Sequence, residues 1–185
     1  MKLVILDRDG VISADSPQFI KSPAEWEPLP GSLEAIARLN EAGYHVAVAT
    51  NQSGIGRGMF DMSTLASIHT KMHRAVAHAG GRIDAVFYCP HAATTECACR
   101  KPKPGMLLAI AERLQCSLSG VWAVGDSPRD LQAAYAAGAE PVLVLTGNGA
   151  STLAAGNLPP RTRVFENLDA VSRALVSQAH RATSP

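Results

Sequence analysis

The sequence predicts an α/β fold, a central parallel sheet with helices on both faces. Three observations carry this. Short apolar runs alternate with stretches whose apolar residues recur at helical spacing. The runs are apolar nearly throughout, as strands covered on both faces are. The polar residues least suited to a core gather where those runs end. In open sheets of this kind, ligands bind beyond the carboxyl ends of the strands.

Each element has its own reason. Residues 3–6 (LVIL) are an apolar run of strand length. Residues 11–30 contain prolines and no clear period, so a loop or flap is expected there. Residues 31–42 place Leu33, Ile36, Ala37 and Leu39 on one helical face, and Gly43 stops them. Residues 44–49 are the second strand. Residues 61–79 form a long helix, capped by Asp61 or Ser63 and ended by Gly80-Gly81. Residues 85–88 are the third strand. A helix over 103–115 has Pro104 in its first turn. Residues 121–124, 142–145 and 163–165 complete the strands. Helices over 128–137, stopped by Gly138, and 168–179 complete the covering layers. Residues 146–162 read as a loose Gly/Asn/Pro-rich segment, and the last residues as frayed.

A chain of 185 residues fits one domain, 1–185, with a core large enough to be stable alone. The net charge of +1 gives no basic block for nucleic acid and no acidic solvating tail. No apolar run approaches the ~20 residues of a membrane span. The N-terminus enters the first strand directly, which leaves no room for a signal peptide. The expectation is a cytoplasmic monomer acting on a small molecule, with neither nucleic acid nor membrane as partner.

Strand one delivers Asp7 and Asp9, two residues apart and so on one side of an extended chain. Gly10 then permits a sharp turn. Strand two leads to Thr50-Asn51-Gln52-Ser53-Gly54, strand three to Arg100-Lys101-Pro102, and strand four to Gly125-Asp126-Ser127, with Asp130 a turn later. Asp7, Asp9 and Asp126 together suit Mg²⁺, which takes carboxylates, water and a substrate phosphate. A hydroxyl (Thr50) and an ammonium (Lys101) would hold the remaining phosphoryl oxygens. This is chemistry for phosphoryl transfer.

Cys89, His91, Cys97 and Cys99 have the spacing C-x-H-x₅-C-x-C in a polar, irregular segment, 89–100. Four such ligands with no open position make a structural zinc site; reduced surface thiols are the alternative. Cys116 is left over and reads as a small buried hydrophobe.

DRDG, TNQSG, RKPKPG and GDSPRD, in this order, resemble the four motifs of the haloacid dehalogenase (HAD) superfamily of phosphatases, over residues 3–130. The resemblance implies a HAD-type Rossmann-like fold, and no stretch between the motifs is long enough for a large cap domain. It implies that Asp7 is the nucleophile of an aspartyl-phosphate mechanism and a Mg²⁺ ligand. Asp9 would be the general acid/base, with its carbonyl a second ligand. Asp126 completes the metal site, Thr50 and Lys101 stabilise the phosphoryl group, and Asp130 supports Lys101 or the metal waters.

The zinc loop before RKP resembles two HAD groups, the heptose bisphosphate phosphatases and the histidinol-phosphate phosphatases. The fuller strings NQSGIGRGMF and CRKPKPGM look like the heptose group. That group removes the 7-phosphate of a heptose 1,7-bisphosphate, commonly the β anomer, in lipopolysaccharide or related heptose-nucleotide synthesis. The group implies substrate contacts from Arg100, from the flap residues Asp15, Ser16, Pro17 and Gln18, and from Thr50, Asn51, Gln52 and Ser53. Many members carry a lysine after the motif-four aspartate; Ser127 stands here, and Arg57 or Arg129 is the candidate substitute at a second phosphate. A module that binds phosphate without hydrolysis is the non-enzyme alternative, and intact Asp7 and Asp9 argue against it.

Other signals are weaker. His69 and His73 are four apart on a helix but lack the glutamate of a zinc-protease motif, so they read as surface or partly buried residues. Gly54, Gly56 and Gly58 have the wrong spacing for a dinucleotide loop, and no helix is expected directly after them; they read as a flexible active-site loop. Trp26 and Trp122 could each stack on a sugar; Trp122 lies inside a strand and reads as core, and Trp26, in the flap, is undecided between the two.

Overall fold

The computed structural model describes residues 1–183, and side chains through residue 179. Six strands form one sheet: β1 (Lys2–Leu6), β2 (Tyr44–Asn51), β3 (Ala85–Cys89), β4 (Trp122–Gly125), β5 (Glu140–Val144) and β6 (Arg163–Phe165). The order is β3-β2-β1-β4-β5-β6, and every pairing is parallel. β1 is therefore central. The chain builds outward from it on one side, returns, and builds outward on the other. The crevice above β1 is the point where strand order reverses, which is where such sheets bind ligands.

Alternate strand residues face opposite layers. Val4, Leu6, Val46, Val48, Val124, Val142 and Val144 join one core. It is closed by α1 (Ser32–Glu41), α3 (Met62–His78) and α7 (Leu168–Thr183). Leu3, Ile5, Ala47, Ala49 and Ala123 join the other, closed by α4 (Gly105–Leu114) and α5 (Pro128–Ala136). Asp61 caps α3, its side chain accepting from the Thr64 N–H at 2.7 Å.

Several expectations need correction. A single helical turn, α2 (Ser53–Gly56), follows β2 directly, where a flexible loop is expected. Its Gly56 lies so close to the cysteine loop that a Cβ would sit 2.5 Å from the Ala92 nitrogen. That glycine serves close packing. A further helix, α6 (Gly149–Ala155), lies in the segment expected to be loose. It is short, lacks a helical period and begins with glycine, so only its docking reveals it. α7 runs to Thr183, past the expected end at 179; the expected fraying of residues 184–185 lies outside the described residues. Cys116 is half-buried against the second core and follows the end of α4.

The flap has a fixed base. Val11, Ile12, Ile20 and Trp26 are buried, Trp26 completely. The base closes on itself through Ala14 N–H to Glu27 O at 2.9 Å and Leu29 N–H to Ile12 O at 2.9 Å. Its complete burial beside Val11, Ile12 and Ile20 makes Trp26 a core residue.

Candidate active site

Motif residues from four strand ends converge on one cleft of about 750 Å³. Asp7, Asp9, Thr50, Lys101 and Asp126 line it, as do Asn51, Gln52 and Ser53. Arg57, Arg100 and Arg129 stand on its wall, and Asp15, Ser16 and Pro17 come from the flap. Gln18 is exposed and does not line the cleft. Asn148, Ser151 and Thr152 also line it and were missed by the sequence reading, since they belong to the unforeseen α6 region.

The centre is crowded with charge. Lys101, 3% exposed, lies 2.6 Å from Asp130 Oδ1 and 3.1 Å from Asp7 Oδ1. Its ammonium also donates to Ala49 O at 2.7 Å. Asn51 holds the Lys101 backbone through a reciprocal pair of bonds, each 3.1 Å. Gly10, at φ 82°, approaches Asp126 so closely that a Cβ would lie 2.1 Å from its Oδ2. Any larger residue would push Asp126 away.

Burial raises the Asp7 carboxyl to about 7; Lys101 acts downward, and Asp130, Asp9 and Asp126 add to the rise. Burial holds Asp126 up at about 6 against the Asn148 N–H. For Asp130, burial is outweighed by Lys101 and Ser127, so its carboxyl stays below the ordinary value. For Lys101, burial is outweighed by Asp130 and Asp7, and its pKa is raised. The cluster therefore holds more buried negative charge than Lys101 offsets, and a divalent cation is the group that would relieve it.

Acidic oxygens of Asp7, Asp126 and Asp130 lie within 4.8 Å of one another. Asp130 is already committed: Lys101 takes Oδ1, and the Ser127 N–H (3.0 Å) and hydroxyl both donate to Oδ2. Ser127 thus anchors Asp130. The hydrogen bonds of Asp7 fall on Oδ1 and those of Asp126 on Oδ2. That leaves the second oxygen of each for a cation.

Arg8 is a further residue that sequence reasoning missed. It is fully buried, and its guanidinium grips Asp9 with two bonds of 2.9 Å. Gln52 Nε2 donates to Asp9 Oδ2 at 3.0 Å and to Thr50 Oγ1 at 2.9 Å. Behind Arg8 lies His69, whose Nε2 is 3.4 Å from Nη1. Burial first, then Arg8, pushes the His69 pKa from 6.5 down to about 4. In that window the unfolded chain binds a proton that the folded protein does not. Stability therefore falls as pH drops from about 6.5 to about 4. His69→Gln should shrink the loss of melting temperature between about pH 7 and pH 5. An unchanged loss would assign the acid limb to another group.

The second cluster is Cys89, His91, Cys97 and Cys99, with ligand atoms within 4.8 Å of one another. Cys89 Sγ lies 3.8 Å from Cys97 Sγ and 3.3 Å from Cys99 Sγ; His91 Nδ1 lies 3.6 and 3.3 Å from Cys89 and Cys99. Zn–S and Zn–N bonds in a tetrahedron give edges of ~3.8 and ~3.6 Å. The donor set fits. Burial and the adjoining sulfurs push Cys99 up to about 12. Burial also acts upward on Cys97, but the Arg100 N–H and its cluster neighbours outweigh it and bring that thiol down to about 7. Bound metal would replace these shared protons.

Comparison with known proteins agrees with this geometry. A model described as "Polynucleotide kinase 3 phosphatase" matches residues 2–130, and one described as "HAD-hyrolase-like" matches residues 98–171. The D-glycero-beta-D-manno-heptose-1,7-bisphosphate 7-phosphatase of Bordetella bronchiseptica is 60% identical over 179 residues, 97% of this chain and 100% of that protein. The chain belongs to this phosphatase family. The heptose-bisphosphate phosphatase of the same name from Pseudomonas putida is 55% identical over 176 residues, 95% of this chain and 100% of its own length. The crystal structure of the B. bronchiseptica D,D-heptose 1.7-bisphosphate phosphatase, complexed with magnesium and phosphate, superposes with a TM-score of 0.95. It is 60% identical and covers 96% of this chain and 99% of that one. Family membership makes the chain a HAD-type phosphoric monoester hydrolase. Among the described residues, no helix is long and apolar enough to cross a membrane.

Proposed function

We propose that this phosphatase removes the 7-phosphate of D-glycero-β-D-manno-heptose 1,7-bisphosphate, with Mg²⁺ at Asp7 and Asp126. The observation that carries the reading is the convergence of Asp7, Asp9, Thr50, Lys101 and Asp126 on one cleft. The relatives of that name match nearly the whole chain.

Bound between Asp7, the Asp9 carbonyl and Asp126, Mg²⁺ would neutralise phosphoryl charge and orient the phosphate. Asp7 supplies the carboxylate that forms the new P–O bond as the sugar–oxygen bond to phosphorus breaks. Asp9 gives its proton to the departing sugar oxygen. It then takes a proton from the water that cleaves the aspartyl phosphate, releasing inorganic phosphate. Lys101 and Thr50 hold the phosphoryl oxygens. Arg8 and Gln52 donate to Asp9 and orient its carboxyl, and Ser13 shares its one hydroxyl hydrogen between Asp9 Oδ1 and Arg8 O. Arg57, Arg100 and Arg129 are the cations for the other phosphate. The chain works as a single domain with 11–30 as its flap, as a monomer in the cytoplasm.

Phosphate release from the β anomer, the α anomer and histidinol phosphate tests this reading. The β-heptose bisphosphate should give the highest kcat/KM; faster turnover of histidinol phosphate would overturn the assignment. Arg100→Ala should cost ~10- to 150-fold more on the bisphosphate than on a monophosphate, the scale of one charge-assisted contact. Equal losses would make Arg100 a general phosphoryl contact.

Zinc at the Cys₃His cluster completes the proposal. Cys99 adjoins Arg100, whose Nη1 also donates to His91 O at 3.3 Å. Metal at the cluster thereby fixes the approach of Arg100 and Lys101 to the cleft. Cys97→Ser should lower the zinc content from about one per chain and raise KM, with the sheet still folded. Excess Mg²⁺ should not restore activity, because thiolates select soft ions. Purified protein that is fully active without zinc would end this idea.

A further inference from the structure

Asn148 occupies the N-cap position of α6, where asparagine usually accepts from the helix's free N–H groups. It makes no such bond. Its Nδ2 donates to Asp126 Oδ2 at 3.1 Å and to Asp15 Oδ2 at 2.9 Å. Its backbone N–H donates to the same Asp126 oxygen at 2.7 Å. An amide nitrogen carries two hydrogens and a carboxylate only accepts, so one hydrogen serves each partner. Those partners belong to different parts of the molecule. Asp126 follows β4 on the site floor, and Asp15 is on the flap tip, where its Oδ1 takes the Ser16 N–H at 2.8 Å.

The segment carrying Asn148 is itself bound to the floor. Thr146 Oγ1 donates to Gly10 O at 2.6 Å, and Thr152 Oγ1 donates to Asp126 O at 2.8 Å. Asn148 is therefore a fixed post between two like charges.

We propose that Asn148 is a positioning residue that couples the flap to the cation site, so that Mg²⁺ and flap order reinforce each other. The inference rests on the reading of Asp126 as a Mg²⁺ ligand. Two donors on Asp126 Oδ2 hold the carboxylate so that Oδ1 is presented to the cation. Asp15 is repelled by Asp126, and the shared amide offsets that repulsion. A cation at Asp126 weakens that repulsion and strengthens the flap's hold. Linkage requires the converse: an ordered flap raises cation affinity by the same factor.

Two measurements on the full chain, with Mg²⁺ alone and no turnover, test the idea. Calorimetry reads Mg²⁺ affinity, and hydrogen exchange reads the amides of Ala14, Asp15, Ser16 and Gln18. In the unaltered protein, Mg²⁺ should slow exchange at the flap tip. Asn148→Ala should bind Mg²⁺ about tenfold more weakly, and its flap exchange should no longer respond to Mg²⁺. If Mg²⁺ binds the unaltered protein but leaves flap exchange unchanged, the coupling is wrong whether or not any variant folds. If a folded Asn148→Ala protein binds Mg²⁺ as tightly as its parent, the positioning role is wrong. Asp126→Asn should lose Mg²⁺ binding; retained binding would overturn the ligand reading itself, and the inference with it.

Discussion

Asp7→Asn should lower kcat by several orders of magnitude and leave the protein folded. The substitution keeps the size of the side chain but removes the attacking oxygen, and groups that act as a unit lose nearly everything when one is deleted. Stability should hold, because Asp7 is already raised to about 7 by burial among like charges, and a neutral amide removes that repulsion. The check is single-turnover phosphate release beside a thermal melt. Asp9→Asn should also be severe, but milder on an aryl phosphate, whose leaving group needs no proton. A near-normal rate for Asp7→Asn would falsify the covalent mechanism.

Lys101→Met should damage both activity and stability. Lys101 is the buried counter-charge of Asp130 and Asp7. Removing one partner of a buried pair costs about 3–5 kcal/mol, because the remaining charge is stranded. For a chain of this size that is a fall in melting temperature of roughly 6–20 °C. Loss of a donor to the developing phosphoryl charge should cost a further ~10²–10³ in kcat. The sign with pH is specific. Stranded carboxylates have raised folded-state pKa values, so the folded variant binds extra protons as pH falls. In Mg²⁺-free buffer the stability gap between variant and parent should narrow from about pH 7 to about pH 5. A constant gap would mean that the deficit is lost packing and not stranded charge.

Much of this molecule can be read from its sequence because its chemistry follows its strands. A sheet covered on both faces has apolar strands, so Asp7, Thr50, Lys101 and Asp126 stand out where the apolar runs stop. What stays hidden depends on tertiary contact. Arg8 reads as the residue between two carboxylates, pointing away from them by strand alternation. Only the fold shows its side chain turning back to grip Asp9 with Gln52 as a second donor. Asn148 lies in GNGASTLAA, a stretch with no helical period, and its N-cap signal describes a bond it does not make. Trp26 gives no local hint of burial, since the prolines around it suggest an exposed loop. The glycines at 54, 56 and 58 look like flexibility, whereas Gly56 brings α2 against the cysteine loop.

The buried base of the flap has an entropic consequence for substrate capture. Fixing the backbone of a residue costs ~1–2 kcal/mol, and a segment ordered only on binding subtracts that from affinity. Here Val11, Ile12, Ile20 and Trp26 are fixed when the chain folds. Any ordering demanded by the sugar is confined to the tip around Asp15, Ser16 and Pro17. On the proposed flap role, enclosing a polar, highly hydrated ligand would not carry the conformational penalty of a large mobile lid, and product release would need only a very short piece of chain to move.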